Sequence, residues 1–366
     1  MRLLHLANGN LFGGIETFLV TLARLEQVEA GTESSFILSH EGRLATELRE
    51  AGAPVRVLAG ARIRNPWAVR RVRTEVRAEA ERQRPDLAVA HGPWAYYVFG
   101  HALTESKAPI VFWQHGLADR GLLHLLAGRR RPAAVIANSE VTAHTTPRVF
   151  PGLAARVVRY PVQELKQSRS REEVREELGA GDDVIIVQTS RFEPWKGHKL
   201  LLTALLQQPD LPWQLWYAGG QTRPVERRLR AELEALATER RAQSRVRFLG
   251  ERRDIADVLG AADVFCQPNT GREPYGLAPV EALGVGLPMV VTEAGATALH
   301  VSHEWGRLVP VSPDALAGAL SELIRDPELR GRMGERARAH YRDHFSTGRL
   351  ITEMNEALRS IAAGRA

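Results

Sequence analysis

Two carboxylates eight residues apart, Glu273 and Glu281, bracket a turn that leaves backbone amides open, in the run Gly271-Arg272-Glu273-Pro274-Tyr275-Gly276-Leu277-Ala278-Pro279-Val280-Glu281. Pro279 suits the first turn of a helix, where its missing N–H has no partner to lose. The amides of Gly276 and Leu277 then stand at a helix N-terminus and can face a bound phosphate. Glu281, one turn in, can accept hydrogen bonds from ribose hydroxyls, and Glu273, on the loop, from a sugar. The plain alternative is an acidic cluster that only caps the helix.

Arg191 and Lys196 lie five positions apart in Ser190-Arg191-Phe192-Glu193-Pro194-Trp195-Lys196-Gly197, on a turn after an apolar run. An arginine fork and a lysine point charge so spaced can clamp a diphosphate. Two solvated cations on a surface turn is the competing reading. The early loop Gly9-Asn10-Leu11-Phe12-Gly13-Gly14-Ile15-Glu16 offers close backbone approach and a following helix N-terminus. Its spacing is not G-x-G-x-x-G, so the dinucleotide fingerprint is absent. His115, in Phe112-Trp113-Gln114-His115-Gly116, ends another apolar run and can bond a ligand hydroxyl, although a lone histidine is more often structural.

The elements that must position these groups alternate. Short apolar runs at residues 2–6, 36–39, 55–58, 87–90, 110–114 and 135–137 read as strands, with helical stretches between them. A second series of strands falls at 184–189, 214–218, 246–249, 264–267 and 289–292. Brief, mostly apolar strands separated by helices predict an α/β chain of parallel sheets covered on both faces. The polar stretch after Tyr160 divides the chain into a first domain, 1–162, a linker, 163–182, a second domain, 183–344, and a C-terminal helical segment, 345–366, able to pack back on the first domain. Ligands of doubly wound sheets bind outside the carboxyl ends of the strands, which predicts a site in a cleft between the halves.

Length and composition set the outer limits. The 366 residues, 44% apolar and 25% charged, suit two folded domains of ~150–180 residues. A single cysteine, Cys266, excludes an intramolecular disulfide and fits a reducing compartment; its apolar neighbours mark it as a buried strand residue. No apolar run reaches the ~18–20 residues of a spanning helix, so a cytoplasmic location is expected. The net charge of +6 is concentrated from Arg62 to Arg84, where eight arginines face three glutamates, with Arg129-Arg130-Arg131 as a second cluster. This segment reads as a solvated helix face or, alternatively, as peripheral contact with anionic lipid at the inner membrane face. No aromatic residues are interleaved as nucleic-acid binding requires, so no nucleic-acid partner is expected.

Taken together, Gly13-Gly14, His115, Asn138-Ser139, Arg191 to Gly197, Phe248-Leu249-Gly250 and the pair Glu273/Glu281 resemble the retaining glycosyltransferases of family 4, with the fold called GT-B. The resemblance covers almost the whole chain and implies two Rossmann-like doubly wound domains facing across a cleft. It implies that Arg191 and Lys196 hold the donor diphosphate, that Glu281 binds the ribose and Glu273 the transferred sugar. Leu249 and Gly250 would contact the base, Gly13 and Gly14 a phosphate, with Gly276 and Leu277 completing the donor site, and His115 the sugar's 6-hydroxyl.

The implied partners are a UDP- or GDP-sugar donor and a glycan, lipid-linked or small-molecule acceptor. No cofactor and no metal are implied, in keeping with the lack of an Asp-x-Asp motif; His340 and His344 read as a solvated helix face. The implied activity is hexosyl transfer with retention at the anomeric carbon. A nucleotide-sugar 2-epimerase of the same fold and a non-catalytic donor-binding homologue are the alternatives. One departure stands out: Glu293-Ala294-Gly295-Ala296-Thr297-Ala298-Leu299 lacks the glutamate usual in that loop.

Overall fold

A computed structural model describes residues 1–10, 12–26, 31–58, 61–162 and 164–364. The chain divides into two compact units, one formed by Met1–Gln163 with Thr347–Ala366 and the other by Glu164–Ser346. Leu11, within the early glycine loop, lies outside the described residues.

The first unit holds seven parallel strands: β1 (Arg2–Ala7), β2 (Glu33–Leu38), β3 (Val55–Val57), β4 (Leu87–His91), β5 (Ile110–Gln114), β6 (Ala134–Ala137) and β7 (Ala155–Val157). Their order across the sheet is β3-β2-β1-β4-β5-β6-β7. β4 and β5 are buried at every residue, which is why their sequences are continuous apolar runs and not alternating ones. The helices Gly14–Glu26 and Thr347–Ala362 belong to this unit. The latter buries Leu350, Ile351, Met354, Leu358 and Ile361, and Thr347 Oγ1 donates to the Val162 carbonyl at 2.9 Å.

The second unit holds six parallel strands: β8 (Val184–Thr189), β9 (Trp213–Ala218), β10 (Val246–Gly250), β11 (Val264–Gln267), β12 (Met289–Thr292) and β13 (Gly306–Val309), in the order β10-β9-β8-β11-β12-β13. The order reverses between β8 and β11 here, and between β1 and β4 in the first unit. At these switch points the loops leave the sheet in opposite directions and open a crevice at the carboxyl ends. Cys266 is fully buried in β11, where loss of water pushes its thiol pKa well up.

Two features depart from the sequence expectation. β7 and β13 were not expected as strands; both are edge strands of three or four residues with partly exposed side chains, too short and too mixed to stand out. Residues 164–182, expected as a linker, are instead part of the second unit. Their helix Arg171–Glu177 is held by a capping box between Ser170 and Glu173. Arg171 donates to the carbonyls of Gly260 and Ala262 at 3.2 and 2.7 Å and pairs with Asp263, while Ser168 bonds both oxygens of Asp257. The polar composition that suggested a linker is a set of charged side chains tied to the end of the helix Ile255–Ala261.

Candidate functional site

In the second unit the sequence candidates gather on loops at the carboxyl ends of the strands. Arg191 and Lys196 follow β8, Leu249 and Gly250 end β10, and Glu273 follows β11, so the switch point between β8 and β11 carries the two principal loops. The loops touch because one residue allows it: Gly197 has φ +75°, and a Cβ there would stand 1.7 Å from the Pro268 carbonyl oxygen. Any side chain at 197 would push the β8 and β11 loops apart. Ser190 N–H donates to Ala218 O at 3.0 Å, and Gly219 N–H to Gly250 O at 2.8 Å, so the loops after β8, β9 and β10 are also joined.

Lys196 and Glu273 form an ion pair at 2.5 Å, both largely shielded from water, with the ammonium 4.2 Å from the Trp195 ring centroid. Glu273 is held further by Asn269 Nδ2 at 3.4 Å, and Asn269 is fixed by Gln267 Nε2 at 2.7 Å and by Thr297 Oγ1 at 3.1 Å. Arg191 turns toward a different pair of acids. Its guanidinium donates to Glu193 at 3.0 Å and lies 3.8 Å from the buried Glu226, both of which also bind Arg223. The structure thus joins Lys196 and Glu273 directly and places Arg191 on the same loop with its charge balanced by other groups.

The segment after Glu273 makes the expected helix N-terminus. Gly276, at φ +88°, is the N-cap of the helix Leu277–Val285, and no side chain caps its first turn. Glu281 is half-buried, and removal from water raises its carboxyl pKa to about 7. Such a group gains from ligand hydroxyls that solvate its charge. The loop that lacks the usual glutamate is nonetheless tied to Glu273: a β-bridge joins Glu273 to Gly295, and Ala296 N–H donates to Glu273 O at 2.8 Å. Gly295 has φ +83°, and a Cβ there would fall 2.3 Å from the Glu273 nitrogen.

In the first unit, His115 follows β5 and is buried with both ring nitrogens engaged, Nε2 with His91 Nδ1 at 2.8 Å and Nδ1 with the Tyr160 hydroxyl. Burial lowers its pKa to about 3, so the ring is neutral at physiological pH. Gly13 N–H is also occupied, donating to Glu16 Oε2 at 3.0 Å, while Gly14 opens the helix. His340, expected on a solvated face, is half-buried and stacks on Trp305 at 4.1 Å; His344 is exposed beside it. Among the described residues no group of three or more His, Cys, Asp and Glu could hold a metal ion.

Sequence reasoning missed Asn269, Thr297, Glu193 and Glu226, which hold the principal residues, and His91 at the end of β4. Asn269 and His91 carry one usable signal, a polar residue at the carboxyl end of a strand flanking a switch point. Nothing local marks Thr297 or Glu226.

Residues 12–160 match the family described as Glycosyltransferase Family 4, and residues 170–340 that described as Glycosyl transferases group 1. A D-inositol 3-phosphate glycosyltransferase of Jonesia denitrificans is 29% identical over 63% of this chain and 59% of its own length. A GDP-mannose-dependent monoacylated alpha-(1-6)-phosphatidylinositol monomannoside mannosyltransferase of Corynebacterium glutamicum is 32% identical over 51% of this chain and 50% of its own. The matches therefore span less than two thirds of these relatives. The crystal structure of Anabaena Alr3699/HepE in complex with UDP-glucose superposes with a TM-score of 0.86 at 25% identity, over 98% of this chain and 100% of that one.

Proposed function

This chain belongs to glycosyltransferase family 4, and on that premise we propose that it moves a hexosyl group from a UDP- or GDP-sugar to an acceptor hydroxyl with retention at the anomeric carbon. The observation that carries this reading is the Lys196–Glu273 pair beside an uncapped helix N-terminus at the switch point of the second unit. An ammonium whose partner is a loop carboxylate can exchange it for a diphosphate. Glu273 is then freed toward sugar hydroxyls, while Gly276 and Leu277 offer amides to the phosphate.

In this reading Lys196, Arg191 and the helix N-terminus stabilise the charge that grows on the departing nucleoside diphosphate. Preorganised donors of this kind need no rearrangement at the moment of bond breaking. Glu281 binds the ribose, Leu249 and Gly250 line the base, and Glu273 holds the sugar as a hydroxyl acceptor, not as a covalent nucleophile. No cofactor or metal is assigned a part. The relatives' names support a nucleotide-sugar donor and a hydroxyl-bearing acceptor, and a lipid-linked acceptor suits the basic segment from Arg62 to Arg84.

Thermal-shift titration with UDP-, GDP- and ADP-sugars identifies the donor, and product analysis with and without acceptor identifies the reaction. Epimerised donor formed without acceptor would indicate 2-epimerisation, and donor binding without turnover a binding protein. Lys196→Ala is expected to reduce kcat by ~100-fold or more, the effect of removing one preorganised donor at a developing charge. Near-wild-type turnover in that variant would refute the diphosphate clamp.

A further inference from the structure

A continuous hydrogen-bonded chain crosses the first unit beneath the helix Gly14–Glu26. At one end Ser34 Oγ lies 2.7 Å from Glu26 Oε1, and Ser34 N–H donates to Oε2 at 2.9 Å. His5 Nε2 meets Ser34 Oγ at 3.0 Å, His5 Nδ1 meets His91 Nε2 at 2.9 Å, and His91 Nδ1 meets His115 Nε2 at 2.8 Å. His115 Nδ1 bonds the Tyr160 hydroxyl, which also lies 3.0 Å from Asn138 Nδ2. Successive histidine rings lie 5.1 and 5.0 Å apart, and Phe18 covers the far end at 4.6 Å from the Tyr160 ring.

The Glu26 end fixes the direction of every bond in the chain. A neutral imidazole has one donor and one acceptor, and a hydroxyl has one hydrogen. Burial raises the Glu26 carboxyl pKa, against the opposing pull of its bonds with Ser34 and Thr32; in its ionised form Glu26 only accepts, so Ser34 donates to it and must accept from His5 Nε2–H. His5 Nδ1 then accepts from His91 Nε2–H, and His91 Nδ1 from His115 Nε2–H. At the other end Asn138 Nδ2 also donates to the His115 carbonyl at 3.0 Å, which sets the amide's orientation. With His115 Nδ1 left as an acceptor, the Tyr160 hydroxyl donates to it while accepting from Asn138. The sense set at Glu26 makes each histidine the Nε2–H tautomer, and the Tyr160 end accommodates it.

We propose that Glu26, Ser34, His5 and His91 are positioning residues that lock His115 in one orientation and one tautomer, its Nδ1 edge an acceptor only. A ligand hydroxyl that takes the place of Tyr160 at that edge must therefore donate to it. The identity of the ligand as a sugar rests on the transfer reading; the lock does not. Glu26 also lines a cavity of about 500 Å³ with Arg2, Ser34, Arg82 and Gln83, so the end that sets the tautomer is the end in reach of water.

The test is the imidazole ¹⁵N–¹H spectrum of histidine-labelled full-length protein, assigned with single His→Phe variants. Wild type is expected to show Nε2–H at His5, His91 and His115. Glu26→Gln places an amide donor at the terminus, reversing the sense of the chain. It is expected to shift His5, His91 and His115 toward Nδ1–H, with Glu26→Asp restoring the wild-type pattern. Unchanged tautomers in a folded Glu26→Gln protein would overturn the proposal. If that variant does not fold, Ser34→Ala cuts the chain one link further in and must perturb His5 in the same spectrum. Glycosyl transfer is read separately: kcat in Glu26→Gln is expected to fall about three- to tenfold, the worth of one neutral hydrogen bond, at unchanged donor KM. A tautomer shift with unaltered transfer sustains the lock and removes His115 from the transfer reading.

Discussion

At the scale of single residues, the second unit keeps its charges in reserve. Lys196 is neutralised by Glu273 and Arg191 by Glu193 and Glu226. Glu281 is different: it is raised to about 7 by burial and is paid back only when hydroxyls reach it. A carboxyl whose folded pKa exceeds its unfolded value of 4.5 binds more protons folded than unfolded between those limits, so stability falls as pH rises through that window. The cost at pH 8 is on the order of 3 kcal/mol. Glu281→Gln is expected to raise Tm at pH 8 and leave it nearly unchanged at pH 4.5, while weakening nucleotide-sugar binding at neutral pH. The same Tm difference at both pH values would contradict that account. Glu273, Glu281, Lys196 and Gly276 were legible because residue type and spacing within short runs carry them. Asn269 and Thr297 were not, because their bond joins residues 28 apart in sequence that only the fold brings together.

At the scale of elements, the helix Pro66–Gln83 shows how composition and structure part company. Asn65 caps it and Pro66 opens it, as the sequence suggests. Yet its basic residues are not one solvated stripe: Arg73 donates to Tyr97 O at 2.6 Å and Arg77 to Ala102 O at 3.0 Å, fastening the helix to its neighbour. Four exposed cations, Arg62, Arg64, Arg70 and Arg71, lie near its start with Trp67, which is 78% exposed, while Arg77, Arg82 and Arg84 are exposed further along. An exposed indole among arginines suits a membrane interface, each cation adding ~1 kcal/mol near an anionic surface. Arg70→Glu with Arg71→Glu is expected to reduce co-sedimentation with phosphatidylglycerol vesicles by at least ~10-fold at low salt, and Trp67→Ala to weaken it further. No sedimentation of the wild type would return this helix to an ordinary solvated surface. The alternation of strands and helices was readable because buried strands are continuous apolar runs. The stretch 163–182 read as a linker, although a helical stretch at 172–178 was legible within it, because its contacts to the second unit are salt bridges and carbonyls, which leave no apolar period.

At the scale of the molecule, the first unit carries an unusual load of buried, neutral histidines. His5 and His115 are lowered to about 3, His101 to about 4, and His91 well below its ordinary value, all chiefly by burial. Between about 6.5 and 4 the folded state binds fewer protons than the unfolded chain, so this stability is present above 6.5 and drains away as pH falls. The loss approaches 1.4 kcal/mol per histidine per pH unit, a steep dependence for one unit. Tm measured from pH 7 to 4.5 is expected to drop sharply, and less so in His5→Phe; a flat profile would mean these rings are charged or solvated.

The last helix, Thr347–Ala362, belongs with a sheet whose strands all lie before residue 158. A chain cut after Phe345 leaves the surface that Leu350, Ile351, Met354 and Leu358 cover open to water, and is expected to aggregate in sizing chromatography, where the full chain elutes discretely. During synthesis the consequence is an inverted order of completion. The first lobe must wait, unfinished, while all of the second lobe is translated, because the helix that completes its apolar cover follows that lobe in the chain.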